Sequence, residues 1–182
     1  FAEVSLVPHY GSDDTIASLQ IVKNKYITFD SVVVKGDVKL RNAFLLPFLD
    51  WHPHKKYDER VAAQISSRTH SLAFATETSP AGIEFVGDKA YLYLFLQRQK
   101  VNQFDAYLGL VPVSEKTGKT MITGEVNLHL QNIFAIGETF DLQWKAPARY
   151  SQYLFLQADF PYLFRLPLGV KGTFLLDKKD TN

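Results

Sequence analysis

The sequence contains no cysteine. Disulfides and thiolate metal centres are thereby excluded. An excess of one charge sign is also missing: 20 Lys and Arg stand against 19 Asp and Glu, a net charge of +1. The balance holds locally, with 12 basic and 11 acidic residues up to Asn102 and 8 of each beyond it. No bulk field recruits nucleic acid or an acidic surface. A run of about 18 apolar residues is absent, so no transmembrane helix is expected. Residues 1–25 lack the charged-then-apolar pattern of a signal peptide. The chain opens on Phe1 rather than methionine, which reads as a processed chain or a piece of a longer one. Enzymatic signatures are missing too: no GxSxG, P-loop, HExxH or GxGxxG occurs. Asp13-Asp14 and Asp58-Glu59 read as turns and caps rather than acid–base pairs. His52-Pro53-His54 lacks a third ligand at a set spacing and reads as a polar turn. The expectation is therefore a protein that is not an enzyme, with no cofactor and no metal.

What is present is an ordinary globular balance with one anomaly. The 182 residues fit one domain or two small ones. Hydrophobic residues at 46% and charged residues at 21% are too apolar for a disordered tail. Phe 14, Tyr 9 and Trp 2 make the chain 14% aromatic. Mean hydropathy is −0.10, which argues only against membrane helices.

Organisation changes along the chain. Residues 1–25 show no sustained period and are punctuated by Pro8, Gly11 and Ser12-Asp13-Asp14. They read as short extended pieces and a linker, or the end of a preceding element. Residues 26–38 are β-branched and aromatic and end in Gly36-Asp37: a strand and a turn. Leu40, Ala43, Phe44 and Phe48 then recur at helical spacing, with Pro47 expected to cap or break that helix early. Residues 58–70 place Val61, Ala62 and Ile65 on one face, with Asp58 as N-cap and Glu59 in the first turn. Two strands follow up to about residue 100, around a turn region at Ser79-Pro80-Ala81-Gly82. The order β-α-α-β-β predicts a small α+β domain over 26–101.

Beyond Asn102 the period becomes two. Ile122, Gly124, Val126, Leu128 and Leu130 alternate with Thr123, Glu125, Asn127, His129 and Gln131. Phe140, Leu142 and Trp144 alternate with Thr139, Asp141, Gln143 and Lys145. Leu168, Val170, Phe174 and Leu176 oppose Lys171, Thr173 and Asp177, while 151–159 is less regular. Together with Gln103–Val113 this predicts an antiparallel meander of about five strands. Each is about as long as the 9–11 tilted residues that cross a bilayer core. The apolar face suits lipid and the polar face a wet lumen. The same alternation also suits a half-buried sheet in water. Aromatic placement near the strand ends favours the bilayer, with Phe134, Phe140, Trp144, Tyr150, Phe160, Tyr162 and Phe164 as a girdle. The connections alternate as well. SEKTGKT and PARYS are polar, whereas NIFAIGE and FPYLFRLPLG are aromatic and are expected on the side where the preceding domain enters.

This order of pieces resembles the barrel-assembly superfamily of outer-membrane proteins, the BamA/TamA-like family that includes two-partner-secretion transporters. Residues 26–100 resemble a POTRA domain, through VVVKGDVKLRNAFLLPFLD, YDERVAAQISSRTHSLAF and IEFVGDKAYLYLFLQ. The barrel start resembles the family in NQFDAYLGLVP, in the N-x-F-x-x-G-E element (Asn132, Phe134, Gly137, Glu138) and in Pro161-Tyr162-Leu163-Phe164 with Pro167-Leu168-Gly169. HPHKKYD stands where a POTRA domain usually carries a turn glycine. The resemblance implies a POTRA-like domain at 26–101 followed by the first five or so strands of a transmembrane β-barrel at 102–182. A whole barrel needs roughly 16 strands, and an open edge cannot sit in lipid, so more chain is expected.

The function implied is assembly, insertion or translocation of outer-membrane proteins by strand templating at a lateral gate. The gate strand would be Phe104, Asp105, Ala106, Tyr107, Leu108, Gly109, Leu110 and Val111. Phe104, Ala106, Leu108 and Leu110 would face lipid, and Asp105, Tyr107 and Gly109 the lumen. Gly109 weakens strand pairing and Pro112 lacks an N–H, although both residues also suit a strand that simply ends near a turn. Implied partners are unfolded outer-membrane clients, accessory assembly lipoproteins and the lipid bilayer, with no nucleic acid. The implied location is the bacterial outer membrane, with the N-terminal domain in the periplasm. A soluble or surface binding module and a passive porin-like channel are the competing classes.

Overall fold

The computed structural model describes residues 2–10, 15–23, 26–114, 119–148, 151–162, 166 and 168–179. The first element is a hairpin. Strand β1 (Ala2–Tyr10) pairs antiparallel with β2 (Thr15–Lys23), setting Val4 opposite Ile21 and Leu6 opposite Leu19. Residues that read as extended pieces and a linker are thus paired.

A three-stranded sheet with two helices follows. Its elements are β3 (Thr28–Gly36), α1 (Asn42–Leu49), α2 (Glu59–His70), β4 (Ala75–Val86) and β5 (Lys89–Arg98). The sheet order is β3-β5-β4, with β3 parallel and β4 antiparallel to β5. The central strand explains its own sequence. Leu92, Leu94 and Leu96 point to the helix side and are buried, while Tyr91, Tyr93 and Phe95 lie on the half-exposed face. Phe29, Phe44, Leu45, Leu49, Trp51 and Ile65 complete the core. Burying side chains of this size contributes about 1.5–3 kcal/mol each.

Both helices form, with adjustments. Asp58 caps α2 by accepting the Arg60 N–H at 2.9 Å. Pro47 neither caps nor breaks α1 but sits inside it. The helix ends two residues later, at Leu49, and is capped by Asp50 in the left-handed region (φ 58°), whose N–H returns to the carbonyls of Leu46 and Pro47. The proline therefore removes one hydrogen bond from a helix that is about to stop. Likewise, Ser79-Pro80-Ala81-Gly82 is no turn. It is an irregular stretch inside the continuous β4, with register shifts between Glu77 and Gly82. β4 is an edge strand, where proline and bulges are tolerated. The Glu77 carboxylate holds the stretch by accepting the Ala81 N–H at 2.8 Å.

The rest of the chain is a five-stranded antiparallel meander. It runs β6 (Gln103–Ser114), β7 (Lys119–Gln131), β8 (Thr139–Ala148), β9 (Ser151–Phe160) and β10 (Val170–Lys178), in the order β10-β9-β8-β7-β6. It is an open sheet, with β6 and β10 at its edges.

Candidate functional site

The register sorts the sheet into two faces. One row reads Ala106, Val126, Trp144, Leu154 and Leu176 across all five strands. The next reads Phe104, Leu128, Leu142, Leu156 and Phe174. The opposite face carries two clusters of paired polar side chains. Lys145 Nζ lies 3.0 Å from Glu125 Oε1, which also accepts the Asn127 amide at 3.0 Å. The Gln143 amide donates to Asn127 Oδ1 at 3.1 Å. His129 Nδ1 sits 2.6 Å from Asp141 Oδ1, and Gln157 donates to the other Asp141 oxygen at 3.3 Å. These groups satisfy one another without a solid polar core behind them, an arrangement suited to a wetted surface. Toward β10 the polar face admits Phe155 opposite Leu175, which is why the alternation blurs in that part of the sequence.

The strand proposed as a gate is the edge strand β6. Among the described residues it pairs with β7 alone. Phe104, Ala106, Leu108 and Leu110 stand opposite Leu128, Val126, Gly124 and Ile122, on the apolar face. Asp105, Tyr107 and Gly109 stand opposite Asn127, Glu125 and Thr123. Exposure along the strand is high, 66% at Leu108 and 73% at Leu110. Val111 pairs with Met121, and the register slips between Pro112 and Ser114. Gly124 sets how closely β6 approaches: at φ 155°, a Cβ there would lie 2.3 Å from the Tyr107 carbonyl oxygen.

The aromatic residues divide. Phe134, Phe140 and Phe160 form a ladder of edge-on rings, with centroids 6.0 and 5.6 Å apart. Trp144 shares their face but lies four residues farther along β8, about 14 Å from Phe140. Tyr162 is elsewhere: its ring packs on Phe44 and Phe48 of α1, at 5.6 and 6.4 Å. Tyr150 and Phe164 lie outside the described residues.

Sequence reasoning picked out Asn132, Phe134, Gly137 and Glu138 as a motif without seeing what they build. The turn between β7 and β8 is a clamp on the α/β domain. Glu138 is fully buried, and its two carboxylate oxygens accept the N–H groups of Phe134 at 2.5 Å and Ile136 at 3.2 Å. Asn132 Oδ1 accepts the Gly137 N–H at 3.0 Å, while its amide donates to the Lys39 carbonyl at 3.2 Å. The Arg41 N–H donates to the Ala135 carbonyl at 2.7 Å. Gly137, at φ 73°, lies against the Phe44 ring, with carbons 2.3–2.8 Å from where a Cβ would be. Only glycine fits both the dihedral and the contact.

Among the described residues, no three His, Asp or Glu side chains gather as a metal site. His52 is engaged with Asp50 at 2.9 Å. No helix among them is long and apolar enough to cross a membrane, which says nothing about strands.

The architecture is thus an α/β domain clamped to an antiparallel sheet with one apolar and one polar face. No family model matches the chain, and no curated protein matches it. Among solved structures it is similar to BamA from Haemophilus ducreyi lacking POTRA domains 1–3. That match has 12% identity and a TM-score of 0.56, over 96% of this chain and 32% of the other. It is also similar to CdiB from Acinetobacter baumannii, at 14% identity and a TM-score of 0.39, over 87% of this chain and 32% of that one. The chain spans about a third of the length of each. At such identities the first likeness establishes a shared fold.

Proposed function

We propose that the chain is part of an outer-membrane protein that assembles, inserts or translocates other proteins. Residues 26–101 act as a POTRA-like periplasmic domain, and 102–182 are the first strands of the barrel. The apolar face meets lipid, the polar clusters line the lumen, and the ladder of Phe134, Phe140 and Phe160 sits at headgroup level. The likeness of fold to BamA supports this reading. The observation that carries it is the far end of β6, an edge strand of the described sheet, where Pro112 lacks an N–H and the register slips before Ser114. Such an edge templates an incoming strand through its free backbone groups. Catalysis of this kind is non-covalent and needs no cofactor. The partners are unfolded outer-membrane clients, accessory lipoproteins and the bilayer.

The test is reconstitution of the full-length protein in liposomes with an unfolded outer-membrane client. Client folding is expected to accelerate, and a cross-link from Leu108 to the last barrel strand is expected to abolish the acceleration. If the client folds at the uncatalysed rate, or the cross-linked protein stays fully active, the gate assignment is wrong.

A further inference from the structure

Where the α/β domain meets the sheet, a cavity of about 720 Å³ opens between residues 37–41, the link 98–102 and the β7–β8 turn. Four cationic residues line it: Lys39, Arg41, Arg98 and Lys100. Asp37 is the one carboxylate on the wall, and its Oδ1 accepts the Arg98 backbone N–H at 2.7 Å. None of the four cations is in an ion pair among the described residues. The lining residues therefore carry a net charge of +3 in a chain whose total is +1. A local excess of this kind concentrates anions.

The remaining wall is mixed, with the amides Gln99, Asn102, Gln131 and Asn132 set among apolar side chains. Ile133 and Phe134 line the cavity and are 48% and 54% exposed. The same two residues also line a groove of about 700 Å³ on the apolar face of the sheet, together with Leu130, Phe140, Leu156 and Phe174. A basic cavity and an apolar groove thus share a wall. A free phosphate fills only the first, and an acidic peptide leaves the second empty. A molecule with an anionic head and a hydrocarbon tail matches both.

We propose that this junction binds one anionic phospholipid. Its phosphate lies among Lys39, Arg41, Arg98 and Lys100, and an acyl chain passes over Ile133 and Phe134 onto the apolar face. The inference rests on the reading of that face as lipid-facing. Bound there, the lipid fixes the height of the α/β domain against the bilayer surface, beside the clamp that joins domain and sheet.

The experiment uses the full-length protein, extracted in detergent and titrated with phosphatidylglycerol or phosphatidylethanolamine, with retained lipid counted by native mass spectrometry. Wild type is expected to retain one phosphatidylglycerol in preference to phosphatidylethanolamine. The triple variant Lys39→Gln, Arg98→Gln, Lys100→Gln is expected to bind about a hundred-fold more weakly, each cation near an anionic headgroup being worth about a five-fold factor. The charge-keeping variant Lys39→Arg, Arg98→Lys, Lys100→Arg is expected to retain the lipid, which separates lost charge from lost fold. Equal binding by the triple variant, equal retention of both lipids, or displacement by inorganic phosphate overturns the proposal. Flotation with vesicles separates the two readings. Protein that floats but shows no lipid preference overturns this site alone, and protein that does not float overturns the bilayer reading with it.

Discussion

Replacing Glu138 by glutamine tests the clamp at its centre. The two carboxylate oxygens receive two backbone N–H groups, from Phe134 and Ile136, in a fully buried position. Glutamine keeps the shape, removes the charge and turns one acceptor into a donor facing a donor. A hydrogen bond to a charged group contributes about 1.5–3 kcal/mol, and a buried N–H left without an acceptor costs a similar amount. Local opening of the turn should become easier by about 2 kcal/mol, and amide exchange at Phe134 and Ile136 about thirty-fold faster. The Arg41 amide, bonded to the Ala135 carbonyl of the same turn, should follow. Leu94, buried in the sheet of the α/β domain, should not. The assay is hydrogen exchange on the full-length protein in detergent, resolved to these amides. Unchanged protection at Phe134 and Ile136 would refute the argument that the carboxylate organises the turn.

Three further perturbations address other levels of the structure. Gly124→Ala would drive a methyl group into the Tyr107 carbonyl, so exchange should rise along β6 while β8 and β9 keep their protection, as read by the same experiment. Val126→Arg, on the apolar face, should disfavour insertion into liposomes by about 2–4 kcal/mol if that row lies at mid-bilayer. The neighbouring Asn127→Arg, on the polar face, should insert nearly normally, and equal defects would refute the assignment of faces. Asp30 accepts a hydrogen bond from Lys89, whose ammonium lies 3.0 Å away, and this holds its carboxyl below the ordinary value of 3.8. Its contribution to stability is then complete above the unfolded value and fades as pH falls through the lowered one. The difference in denaturation midpoint between wild type and Asp30→Asn should be flat above about pH 4 and shrink below it, with Trp51 fluorescence as reporter. A difference that grows with acid would reverse the sign of the argument.

Much of the fold was legible because it follows local periods. The alternation in β7 and β8 and the capping carboxylate of Asp58 need no tertiary knowledge. Features that depend on distant partners were hidden. Nothing in residues 2–23 marks Leu6 as facing Leu19, since Val7 and Val22 interrupt the alternation on both strands. Pro47 reads as a stop signal until Asp50 is seen to close the helix just beyond it. Ser79-Pro80-Ala81-Gly82 has turn composition, and only its position at a sheet edge turns it into an irregular strand. At the candidate site, the two faces were readable from the alternation, whereas the place of β6 as first strand came only with the family resemblance. The clamp was not, because Asn132 meets Lys39 and Gly137 meets Phe44, partners 93 residues earlier in the chain.

The way β6 is fastened gives its separation a direction. At its start, Asn102 accepts the Gln131 N–H at 2.9 Å, next to the turn held by Glu138. At its far end, Pro112 has no N–H to offer, and the register slips before Ser114. The strand therefore behaves like a zip sewn shut at the bottom. If β6 opens as proposed, peeling would start at Pro112 and run toward Gln103, and the α/β domain would stay anchored meanwhile. An incoming strand would find its first free backbone groups at the end of the sheet remote from the domain and would be drawn back toward it, pair by pair.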